Sequence, residues 1–149
     1  MADRINQKLD WRAWLAALED MCVAAVCACA REEASILRAF NHLLGRAPPM
    51  ALGRSVVALA PARLEALIDM DMCSGAFLAM IERGTCFIVS RGDHSEFLVS
   101  VALPGQASED TADGPTLTLA GIRALTAALV GNMAGHQTHG PTLRPIRLQ

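Results

Sequence analysis

Large apolar residues recur in steps of three and four along the first third of the chain. They fall at Trp11, Trp14, Leu15, Leu18, Cys22, Val26 and Cys29, then again at Ile36, Phe40, Leu43 and Leu44. Side chains three or four apart share one helical face, so this spacing predicts helix from about residue 11 to residue 44. Asp10 is placed to cap the first turn, with Leu9 and Trp14 forming the apolar pair that fixes helix entry. Arg31, Glu32 and Glu33 interrupt the stripe without supplying a breaker, so either one long helix runs through or two helices meet near 31–34. Gly45 fits the left-handed position after a helix, and Pro48 and Pro49 cannot continue one.

The segment 50–60 fits a short strand or a helical turn equally well. Pro61 suits a first helical position, and Leu64, Leu67, Ile68 and Met72 keep helical spacing, which predicts a second helix from Pro61 to Met72. Residues 76–81 either add a strand or prolong that helix. The period then changes to two: Phe97, Val99, Val101 and Leu103 alternate with Leu98, Ser100 and Ala102. Thr85 to Ser90 is a β-branched and aromatic run of strand length, and Arg91 to His94 supplies turn residues. Residues 85–103 are therefore predicted to form an antiparallel hairpin with Phe97, Val99 and Val101 facing the core. The stretch 105–115 reads as an acidic, mobile loop. Thr118 is placed to cap a last helix with an apolar face of Ile122, Leu125, Leu129 and Met133, ended by Gly135 and followed by an extended tail, 136–149. The sum is a single α+β domain over 1–149, with a long N-terminal helix and two further helices packed on a small antiparallel sheet.

Within the first helix, Met21 to Ala30 (MCVAAVCACA) is apolar on every side. It is too short to cross a membrane, which takes about 20 residues. Such a helix needs cover all round, from the centre of a domain or from a second chain. Composition supports folding: 52% of the 149 residues are hydrophobic and 19% charged, unlike a disordered chain. The net charge of -2 and the absence of a basic cluster argue against nucleic acid as a partner. Residues 1–14 carry no secretory pattern, which places the chain in a cytoplasm. The five cysteines are an odd number, and Cys22, Cys27 and Cys29 sit in the apolar helix as small hydrophobes. A reducing compartment is the simpler reading than a disulfide framework.

No motif forces a chemistry. Cys27 and Cys29, two apart on a helix, point roughly 200° from each other and cannot share a metal ion. Cys22 and Cys29 share a helical face but lack partner ligands. His136 and His139 have the H-x-x-H spacing but lie in a segment with glycine and proline and without an acidic neighbour. No phosphate-cradling glycine motif is present, so neither a metal nor a cofactor is expected. The catalytic candidates are Cys86 as nucleophile with Asp93 and His94 in the adjacent turn. Against these stands a surface argument: the chain's two tryptophans, Trp11 and Trp14, lie close together at the start of the first helix, and tryptophan is enriched at binding hot spots. The leading expectation is a cytoplasmic interaction, adaptor or regulatory module that self-associates or binds a protein partner through Trp11, Trp14 and Leu18. The bland alternative keeps both tryptophans inside the chain's own core. Two rivals are a small ligand-binding domain or enzyme with its site near the 85–103 hairpin, and a structural subunit of a larger assembly.

Overall fold

The computed structural model describes residues 8–94 and 96–138. Five α-helices pack on a three-stranded antiparallel sheet, an α+β architecture. The first helix, α1 (Trp11–Cys27), starts at Asp10, whose carboxylate accepts the Ala13 N–H at 2.8 Å. It stops at Ala28, which is extended, ahead of the polar interruption. The Glu32 carboxylate accepts the Cys29 N–H at 2.8 Å and opens a short 3₁₀ turn, Ala30–Glu32, that leads into α2 (Glu33–Gly45). Of the two readings, the two-helix one holds: the junction runs over 28–32 and overlaps the expected 31–34. Gly45 is the last residue of α2 rather than a left-handed cap; the Arg46 N–H bonds back to Leu43 and Leu44 instead.

The chain before α1 is tied to the end of α2. Leu9 N–H donates to Arg46 O at 3.0 Å, and Lys8 Nζ donates to Gly45 O at 2.8 Å. Inside that clasp Trp14 Nε1–H donates to Leu43 O at 3.0 Å, which locks the two helices together. The linker after α2 is fastened by Asn41: its buried side chain donates to Leu59 O at 3.0 Å and accepts the Leu59 N–H at 2.7 Å. Then comes α3 (Pro61–Asp69), joined to α2 by an Arg38–Glu65 ion pair at 2.8 Å. It ends before the expected Met72, because Asp71 adopts a positive φ of 58° and turns the chain into α4 (Cys73–Met80). Residues 76–80 are thus helical, and a single isolated bridge joins Val56 to Ile81.

The hairpin forms as predicted, from β1 (Cys86–Arg91) and β2 (Phe97–Ala102). Val99 and Val101 are fully buried, and Phe97 is half-buried. Much of the predicted loop 105–115 is instead β3 (Asp110–Gly114), paired antiparallel with β2. The reason is backbone accounting: β2 bonds on both sides, and its second side needs partners that β3 supplies. The final helix, α5 (Leu117–Thr138), lies across β2, β3 and α1. Its cap is Thr116, whose hydroxyl accepts the Leu119 N–H at 3.1 Å, whereas Thr118 is buried. Gly135 does not end it. Residues 117–135 are long and apolar enough to span a membrane by composition, but here they form the central core helix, with 61% of the segment buried. Two glycines permit the packing: a Cβ on Gly114 would meet Ala120 N at 2.8 Å, and one on Gly121 would meet the Phe77 ring at 2.3 Å. The described elements share one continuous core. Beyond residue 138, the predicted tail and His139 lie outside the described residues.

Candidate interaction surface

The core-facing stripe of α1 is Trp14, Leu18, Met21 and Ala25, at helical steps of four and three. Trp14 and Leu18 are fully enclosed by their own chain. Of the three residues expected at a contact, only Trp11 is open to solvent, at 46% exposure. The reason is angular. Trp11 lies about 60° around the helix from Trp14, from three steps of about 100° each, so one indole enters the core while the other sits beside it.

Trp11 belongs to a second apolar stripe. Leu15 and Cys22, both half-buried, and Val26, 52% exposed, fall on the same flank as Trp11, with Val23 at 63% beyond them. Arg12 and Glu19 rim its outer side. The run Met21 to Ala30 therefore keeps only Met21 and Ala25 buried. Among the described residues, cover reaches one stripe of this helix, and the apolar flank beside it is exposed.

The cysteines divide differently from their expected shared burial. Cys27 and Cys29 are exposed, Cys22 is half-buried, and all five described thiols are free. Cys29 lies past the end of α1, so it does not share a helical face with Cys22. Cys73 is the buried one; burial raises its pKa above the ordinary thiol value, which favours the protonated form.

Cys86, Asp93 and His94 are not brought together. Cys86 is the first residue of β1, whereas Asp93 and His94 lie in the turn past its far end. At about 3.3 Å per residue the strand alone separates them by roughly 17 Å, far beyond the hydrogen-bond reach that a nucleophile and its base require. All three are exposed. Among the described residues, no group of three His, Cys, Asp or Glu side chains is placed to hold a metal ion. Two open clefts meet at Gly53 and Arg54. One, about 460 Å³, is bordered by Lys8, Leu44, Pro48 and Met50; the other, about 500 Å³, by Glu82, Arg83 and Pro104. Neither contains Cys86, Asp93 or His94.

Exposed apolar side chains not marked by the sequence pattern also occur on the hairpin, on opposite faces of β1. Ile88 is 54% and Val89 39% exposed, although they sit in the middle of a strand. Set against known proteins, the chain matches no family model, no curated protein and no solved structure.

Proposed function

We propose that the chain is a protein–protein interaction module, adaptor or regulator, whose docking surface is the outer flank of α1 formed by Trp11, Leu15, Cys22 and Val26. The observation that carries this reading is that flank's exposure beside a fully packed core stripe on the same helix. Apolar side chains in register along a helix match the anchor pattern of helix-in-groove recognition, and an aromatic at one end supplies the large buried area that hot spots use. Exposed free thiols at Cys27 and Cys29 suit a reducing cytoplasm.

The test compares Trp11→Ala and Val26→Asp with the wild type in affinity capture from the native source, with bound proteins identified by mass spectrometry. The expected outcome is a partner retained by the wild type and lost by both variants, whose melting curves stay close to the wild-type curve. Equal recovery by all three chains would overturn the assignment to α1.

A further inference from the structure

The sheet has one defended edge and one undefended edge. Strand β3 is five residues long and carries Asp110 and Asp113, charges that discourage strand addition. Strand β1 has an unbroken six-residue register, no proline and no bulge, and its one charge, Arg91, stands at its end. A strand of that kind is a template for pairing with another chain.

The hydrogen-bond alternation identifies which groups are open. Gly92 N–H donates to Glu96 O at 3.0 Å, which makes that pair a hydrogen-bonded one. In an antiparallel ladder bonded and non-bonded pairs alternate, so Ser90, Ile88 and Cys86 bond to β2. Phe87, Val89 and Arg91 turn their N–H and C=O groups outward. No other described element satisfies them.

We propose that this edge binds a second copy of the chain, β1 against β1 about a two-fold axis through Val89. This register pairs Phe87 with the partner's Arg91 and uses all three open residues of each strand, giving six backbone hydrogen bonds from three bonded pairs. It also continues the side-chain rows. Val89 pairs with Val99 and Val99 with Ala112, so the axis would double these into one apolar row across six strands. Arg91 already lies 5.1 Å from the centre of the Phe97 ring and would meet the partner's Phe87 on its other side, a cation–π partner of complementary character. Antiparallel pairing further brings the Arg83 end of one strand to the Asp93 end of the other. The contact is isologous and uses up both β1 edges, leaving only the charged β3 strands at the margins of the six-stranded sheet. It lies apart from the α1 flank, so each can fail without the other.

The test uses the full chain at several concentrations, with its mass measured by sedimentation and its amide exchange read residue by residue. The wild type is expected at twice its 15.9 kDa mass, with the Phe87, Val89 and Arg91 amides protected. Val89→Pro removes an N–H that the single chain does not use, as an edge strand tolerates. It should sediment as one chain with a near-wild-type melt. Val89→Lys sets like charges against each other at the axis and covers the case in which the proline variant fails to fold; it too should be monomeric. Trp11→Ala should remain dimeric. A wild type that is monomeric at every accessible concentration would overturn the proposal, including one that binds a foreign extended peptide at this edge. So would a dimer with those three amides unprotected, or one abolished by Trp11→Ala and kept by Val89→Lys.

Discussion

Replacing Trp14 and Trp11 one at a time separates the packing role of α1 from its surface role. Trp14 is fully buried, and its indole N–H meets Leu43 O at 3.0 Å across the α1–α2 contact. Truncation to alanine removes a core side chain, a change that costs about 3–5 kcal/mol. It also removes the indole hydrogen bond, worth about 1 kcal/mol more, while the Leu43 carbonyl keeps the Arg46 N–H. The total, about 4–6 kcal/mol, is comparable with the whole stability of a domain near the low end of the usual range of about 5–15 kcal/mol. At about 2–4 °C per kcal/mol for a domain of this size, melting should fall by on the order of 10–20 °C. Trp11 is 46% exposed, and its replacement should cost about 1 kcal/mol or less. Because these are the only two tryptophans, each variant leaves a single fluorescent reporter. Urea unfolding of Trp11→Ala should follow a blue-shifted, buried indole. That of Trp14→Ala should start from a red-shifted emission with a much lower midpoint. Equal destabilisation by both substitutions, or a solvent-like spectrum from Trp14, would refute the division of α1 into two stripes.

Gly121→Ala tests the close approach of α5 and α4. Helix propensity favours the alanine by about 1 kcal/mol, but its Cβ would stand 2.3 Å from the buried Phe77 ring, so overpacking of about 1–3 kcal/mol should make the net change destabilising in thermal melts; a stabilised variant would deny the contact. Asn41→Ala should lower stability by about 2–4 kcal/mol in urea titration, because it strands both Leu59 backbone groups in a buried site, and a change within error would show that they find other partners.

The parts of the fold legible in the sequence are those where one face is apolar and the other polar. Alternation over 97–103 identifies the hairpin because a shift of one residue would put Val99 and Val101 in water. β3 carries no such signal: Asp110, Thr111, Ala112, Asp113 and Gly114 have weak strand preferences, and the segment is held by the ladder to β2 and by the fit of Gly114 under Ala120. The break after Cys27 is equally hidden. Ala28 and Ala30 are good helix formers, and the junction depends on the Glu32 carboxylate closing back on the Cys29 N–H. The same closure lowers the Glu32 pKa below its ordinary value, through that backbone bond first. The bond therefore supports the junction above the ordinary glutamate range and is lost as pH falls through the lowered value.

The surface was legible only in outline, because a helix that is apolar all round does not announce which stripe its own chain will cover. Trp11 and Trp14 are the same residue type three positions apart, and periodicity treats both as members of one apolar face. Tertiary contact distinguishes them. Leu43 offers a carbonyl within reach of the Trp14 indole, and α2 and α5 pack on α1, whose Leu18 and Met21 are buried, while no described element covers Val23 or Val26. The hairpin edge was hidden for a related reason: alternation reports which side chains face the core, not which backbone groups remain open. Val89 lies on the core-facing side of β1 yet stays 39% exposed, because the strand stands at the margin of the sheet. Both exposed regions thus arise where no described element covers an apolar one. The helix flank presents side chains without backbone donors, whereas the strand edge presents backbone donors and acceptors in a fixed register. That difference is why we propose a partner with a complementary groove for the flank and a partner that is itself a strand for the edge.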